Sequence, residues 1–262
     1  MDETVMKTIA FFGDSFVGQY IGWLEYFCEV FEYQCLSVGK PGGDFIYSFM
    51  KWKEMNETHQ EKVDVCVFAH TEGSRLFHPD KDIAITFAIA NDHEKVVNLR
   101  QEKQISSLEK KQLNAAQSYY EYLYFREAAH IKNILYPLGI DRFMKENNKT
   151  FKKIIHLWSF SPIQSGSFED RLGKSRWPFS IQSGMNVKLC LKSLSELDPF
   201  NKFEEWDQRP LHFSLEHNQF ISDILYTGIE KYQKKELNFE YYVGKNPTWQ
   251  NYCQALEKIK KA

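Results

Sequence analysis

The sequence predicts an α/β protein whose parallel sheet is wound on both faces, and three observations carry that reading. Short apolar runs alternate with amphipathic stretches from residue 8 onward, which is the strand-then-helix rhythm of such sheets. The run Val63–Ala69 is almost unbroken in Val, Cys, Phe and Ala, as a strand buried on both faces requires. Glycine-bearing turns follow the first two strands directly, as Gly13-Asp14-Ser15 and Gly39-Lys40-Pro41-Gly42-Gly43.

Taken in order, Thr8–Phe12 reads as the first strand and Phe16–Phe31 as a helix with Ile21, Leu24, Phe27, Cys28 and Phe31 on its apolar side. Gln34–Val38 is a second short strand, Phe45–Met55 a helix and Val63–Ala69 the third strand. From residue 91 to residue 149 the rhythm breaks into a charged, glycine-poor segment of helical period. It reads as a helical insertion or extended crossover, with Tyr120, Tyr124, Ala128, Ile131 and Leu135 as its packing stripe. Lys153–Trp158 resumes the strand pattern, and Ser159–Gly184 is a long loop of the kind that walls a substrate site. A last helix starts near Ser214, a suitable N-cap, with Phe220, Ile221, Ile224 and Leu225 inward. Residues 231–262 read as a polar, aromatic and finally basic C-terminal extension of a single domain spanning 1–262.

Composition narrows the function classes. With 33 Lys and Arg against 35 Asp and Glu, the chain has no global field toward nucleic acid or an anionic membrane, and neither is expected as a partner. The five cysteines are scattered, without a C-x-x-C pair, so neither a disulfide framework nor a zinc knuckle is predicted. The eight histidines form no H-E-x-x-H or H-x-H cluster, so no metal site is expected. The start of the chain, with Asp2 and Glu3, lacks a basic n-region and a long apolar stretch, which predicts a cytoplasmic protein without a secretion signal. No apolar run approaches the ~20 residues needed to span a bilayer. Aromatic residues make up 16% of the chain, enough for a bulky core or an aromatic binding wall, for which Trp158, Phe160, Trp177 and Phe179 are candidates.

The chemistry lies at the two ends of the chain. Ser15 stands at the exit of the first strand, and Asp207-x-Arg209-x-x-His212 supplies a late imidazole and carboxylate. A serine hydroxyl becomes an effective nucleophile when an imidazole takes its proton and a third group orients the ring. Ser15 also suits a helix N-cap, so the serine alone leaves a structural role open. His217 competes with His212, but five residues on it falls inside the predicted last helix.

Gly13-Asp14-Ser15 after the first strand, with His212 near the C-terminus, resembles the SGNH (GDSL-like) hydrolase family. The resemblance covers residues 7–78 and about 152–230. It implies a three-layer α/β/α, flavodoxin-like SGNH fold with a parallel sheet, here carrying a helical insertion. It also implies a serine ester hydrolase with Ser15 as nucleophile, His212 as base and Asp207 as the orienting acid, a chemistry that requires no cofactor. Gly42 matches the family's second block, and the N–H groups of Ser15 and Gly42 would stabilise the oxyanion. The third block, ordinarily Gly-x-Asn-Asp, reads Ala69-His70-Thr71-Glu72 here, leaving Thr71 as the third oxyanion donor through its hydroxyl. The last block, ordinarily Asp-x-x-His, carries Arg209 three residues before His212, with the aspartate five residues before it. Asp14, His70, Glu72, Arg75 and Arg209 are the substrate-contact candidates, with Glu72 and Arg75 placed at the mouth as an ion pair or a clamp. The substrate implied is a carbohydrate O-acetyl ester or another small ester. The altered third and fourth blocks imply an alternative, an inactive SGNH-like binding or structural module. The overall look resembles SGNH-like proteins of tailed phages, in which case the protein would be virion-associated.

Overall fold

The structure is a computed structural model that describes residues 6–14, 16–17, 22–37, 39–40, 43–71, 73–76, 107–124, 126–159, 181–191, 194, 215–231, 236–238 and 248–261. Five parallel strands form its centre: β1 Lys7–Phe12, β2 Tyr33–Ser37, β3 Val63–His70, β4 Phe151–Trp158 and β5 Met185–Cys190. They lie in the order 2-1-3-4-5, and a three-residue strand, β6 Glu236–Asn238, extends the sheet beside β5. Register is continuous across the middle, with Ile9 opposite Cys35 and Val65, and Val65 opposite Lys153.

Alternation along the central strands divides the core in two. Ile9 and Phe11 of β1, Val65, Val67 and Ala69 of β3, and Ile155 and Leu157 of β4 face one way. They meet α1 Trp23–Val30, α5 Leu215–Tyr226 and α6 Trp249–Lys261. Ala10, Phe12, Cys66, Phe68 and Ile154 face the other way, against α2 Phe45–Thr58 and α4 Arg126–Asn147. Both faces are covered by helices, so the apolar runs of β1 and β3 bury every other side chain on each side. Another helix, α3 Ser107–Ser118, runs on through a π-helical turn, Tyr119–Leu123. With α4 it forms the crossover from β3 to β4.

Several boundaries differ from the sequence reading. The first helix begins at Trp23 and not at Phe16, because Asp14 starts a tight turn: Val17 N–H donates to the Asp14 carbonyl at 3.0 Å. Trp23 is tied back to that turn, its Nε1 donating to the Phe16 carbonyl at 2.8 Å. The stripe expected on the crossover also fails. Tyr120 is buried, but Ile131 and Leu135 are 48% and 59% exposed. The π-helical turn and the extended Tyr124 shift the helical phase, and α4 buries Asn133, Ile140, Asp141 and Met144 instead. The described parts of the segment read as a C-terminal extension pack on the sheet. β6 pairs with β5, and α6 places Tyr252, Ala255, Leu256 and Ile259 in the core. Among the described residues no helix is long and apolar enough to cross a membrane.

Candidate functional site

The order 2-1-3-4-5 makes the connections leave β1 and β3 in opposite directions. At such a reversal a crevice opens beyond the carboxyl ends of the strands, where ligands of open α/β sheets bind. Asp14 sits at this point, fully buried one residue past Gly13. Its Oδ1 accepts from the Phe16 N–H at 3.1 Å and from Ser159 Oγ at 2.9 Å. Its Oδ2 accepts from Thr71 Oγ1 at 2.9 Å and faces Arg75 Nη2 at 3.2 Å. These four donors occupy all the lone-pair sites of a carboxylate. Asp14 therefore ties together the ends of β1, β3 and β4, with Ser159 N–H also donating to the His70 carbonyl at 2.8 Å.

The backbone around Asp14 has no room for side chains. A Cβ on Gly13 would stand 2.3 Å from Val17 Cγ2 and 2.9 Å from Ala69 Cβ. One on Gly43 would stand 3.0 Å from the Lys40 carbonyl oxygen and 3.2 Å from that of Gly13. The turns after β1 and β2 are also bonded to each other, with Lys40 N–H donating to the Gly13 carbonyl and Gly43 N–H to that of Lys40. Arg75 spans the same two turns. Its Nη1 donates to the Gly43 carbonyl at 2.8 Å while Nη2 meets Asp14, and its side chain is only 6% exposed.

The loop carrying Thr71 and Arg75 is held from outside by the helical crossover. Asn133 Oδ1 of α4 accepts the Gly73 N–H, and Tyr120 Oη donates to the Ser74 carbonyl at 2.7 Å. Gly73 lies so close to α4 that a Cβ would come within 2.9 Å of the Ala129 carbonyl. The insertion thus fixes the loop that follows β3.

Several candidates take roles other than those expected. Thr71 is buried and gives its single hydroxyl proton to Asp14, which leaves none for an oxyanion while that bond stands. The Arg75 side chain is buried, with Nη2 on the Asp14 carboxylate, which is itself enclosed; its expected pairing with Glu72 falls outside the described residues. His70 is also fully buried and points to the opposite face of β3, among Phe45, Phe68 and Trp158. Trp158 is core and no sugar platform: it stacks on His70 with ring centroids 4.4 Å apart and donates from Nε1 to Asn186 Oδ1 at 2.8 Å. His217 lies in α5, inside a helix as expected although α6 follows it, and is buried and stacked on Trp249 at 3.7 Å. Ser15, Gly42, Glu72, Asp207, Arg209 and His212 lie outside the described residues, as do Phe160, Trp177 and Phe179.

The sequence reading missed two features. Ser159 completes the Asp14 shell, and its signal was positional: it is the first residue past β4 in a parallel sheet, where ligand-side residues gather. His156 belongs to no sequence motif, yet its Nδ1 lies 2.9 Å from His70 Nε2 and its Nε2 lies 2.8 Å from Ser183 Oγ. Asp141 Oδ1 stands 4.0 Å from the same Nε2 and accepts the N–H groups of Gln182 and Ser183. We assign both rings as Nε2–H tautomers. His70 then donates to His156, His156 donates to Ser183, and the partnerless His70 Nδ1 is a bare lone pair; the alternative buries an unmatched N–H, which costs more. Burial pushes both imidazoles down, His70 well below the ordinary range and His156 to about 4, with Asp141 opposing the shift at His156. No group of three or more metal-ligating side chains occurs among the described residues.

No protein-family model, no curated protein and no solved structure matches this chain.

Proposed function

We propose that the protein is a serine ester hydrolase of SGNH-like fold, acting on a carbohydrate O-acetyl ester or another small ester. The observation that carries this reading is the Asp14 carboxylate, buried and fully bonded at the β1/β3 reversal, with Ser15 the residue that follows it in the chain. The sheet order 2-1-3-4-5 with helices on both faces supports the finer flavodoxin-like description.

In this mechanism Ser15 Oγ bonds to the ester carbonyl carbon while His212 takes the hydroxyl proton. The N–H groups of Ser15 and Gly42 donate to the oxyanion. The carbon–oxygen bond to the alcohol then breaks, and the alcohol leaves with the proton that His212 returns. Water, deprotonated by His212, attacks the acyl-serine, releasing the carboxylic acid and restoring Ser15. Asp207 orients the imidazole, and no cofactor enters the cycle.

One observation favours a second reading, an inactive binding or structural module. Thr71 replaces the asparagine of the family's third block, and its hydroxyl is already committed to Asp14. Loss of one oxyanion donor lowers turnover by about 10²–10³. Fluorophosphonate labelling separates the two, because it requires an activated serine and no knowledge of the natural ester. A hydrolase is labelled in the wild type and not in Ser15→Ala or His212→Gln. A wild-type protein that stays unlabelled at about pH 8, where an ordinary histidine is neutral, is the binding module.

A further inference from the structure

We propose that Arg75 is a positioning residue for the oxyanion site, an inference that rests on the hydrolase reading. One guanidinium joins two separate turns: Nη2 meets the Asp14 carboxylate at 3.2 Å, and Nη1 donates to the Gly43 carbonyl at 2.8 Å. In the chain, Asp14 immediately precedes Ser15 and Gly43 immediately follows Gly42, so the residues Arg75 grips are the covalent neighbours of the two backbone donors. The grip is rigid. Arg75 is 6% exposed at its side chain, and Asp14 is held by three further donors. Its own loop is pinned to the crossover helices at Gly73 and Ser74.

Only a planar fork can serve this geometry, because two nitrogens of one group must reach a carboxylate and a carbonyl on different segments at once. Backbone donors stabilise an oxyanion in proportion to how well their spacing is fixed before the reaction, and a displacement of about 1 Å can cost on the order of 10²-fold. Arg75 fixes the separation of the two turns. In this role Arg75 acts through the two turns it holds, so its loss should slow the chemical step and leave ground-state binding intact.

The test compares Arg75→Lys and Arg75→Met with the wild type in their reaction with a fluorophosphonate, in which Ser15 Oγ bonds phosphorus and fluoride leaves. Arg75→Lys keeps a cation beside Asp14, so the buried carboxylate is not left without one, but its single ammonium cannot hold both turns. Ile259→Ala, a core truncation in α6, is the control for destabilisation alone. Thermal melts confirm that each protein is folded at the assay temperature. The expected result is a maximal inactivation rate lower by on the order of 10²-fold in both Arg75 variants, with half-saturation by the probe within about twofold of wild type and Ile259→Ala reacting normally. Wild-type reactivity in Arg75→Lys overturns the positioning role and leaves the hydrolase reading standing. Equal slowing in Ile259→Ala reduces Arg75 to a stability effect and also overturns it. A wild type that does not react at all overturns the hydrolase reading itself, and the positioning role with it.

Discussion

Acid should unfold this protein through its buried histidines, and the effect can be sized. His156 is fully buried, bonded to His70 and Ser183, and held neutral with its pKa pushed down to about 4, against 6.5 for the free side chain. Since the folded-state value is the lower one, the unfolded chain binds more protons wherever the pH lies between them. The stability from keeping His156 neutral is therefore complete above about pH 6.5 and is lost as the pH falls toward about 4. Linkage gives a loss of about 2 kcal/mol between about pH 7.5 and about pH 5 from this one group. His70, shifted in the same direction by burial and by His156, adds to it. Urea unfolding at these two pH values, for wild type and His156→Gln, isolates the term, because glutamine can serve both hydrogen bonds and does not titrate. The variant should lose about 2 kcal/mol less than wild type over that interval. Curves that fall in parallel, to within about 0.5 kcal/mol, would refute the idea that burial holds His156 neutral. The consequence reaches the candidate site, since the His70 carbonyl accepts the Ser159 N–H and Ser159 in turn holds Asp14.

Two further outcomes test the packing around that site. Gly13→Ala puts a methyl group 2.3 Å from Val17 Cγ2 and 2.9 Å from Ala69 Cβ, so it should cost about 1–3 kcal/mol in urea unfolding. A variant as stable as wild type would show that the turn yields. Leu256→Ala should destabilise by about 2–5 kcal/mol in the same assay, because Leu256 is only 5% exposed in the α6 face of the core. A loss under about 0.5 kcal/mol, typical of an exposed position, would return the C-terminal helix to the status of an appendage.

Local pattern carries information about what a residue is buried against only where the pattern is pure. β1, β3 and β4 were legible because strands covered on both faces need apolar residues at nearly every position, and Val63–Ala69 has them. β5 is harder to read: Met185, Val187 and Leu189 alternate with Asn186 and Lys188, the period of a half-exposed strand. Here the polar positions are buried as well, Asn186 being matched by the Trp158 indole. In α6 the apolar set Tyr252, Ala255, Leu256 and Ile259 has helical spacing, but the lysines between and after hide it from a reading by composition. The polar centre was beyond reach for a different reason. Gly-Asp-Ser marks a turn after β1, yet the company Asp14 keeps comes from Thr71, 57 residues away, and Ser159, 145 away. Hydroxyl and guanidinium groups have no periodicity that announces a partner; the register of β1 on β3 and of β3 on β4 brings them together. A buried carboxylate needs such donors, because an unpaired one would cost several kcal/mol. The donors around Asp14 are therefore a requirement of its own charge, independent of any role for Ser15. Removing the carboxylate and removing the serine should then have different signatures, a loss of stability for the first and a loss of reactivity alone for the second.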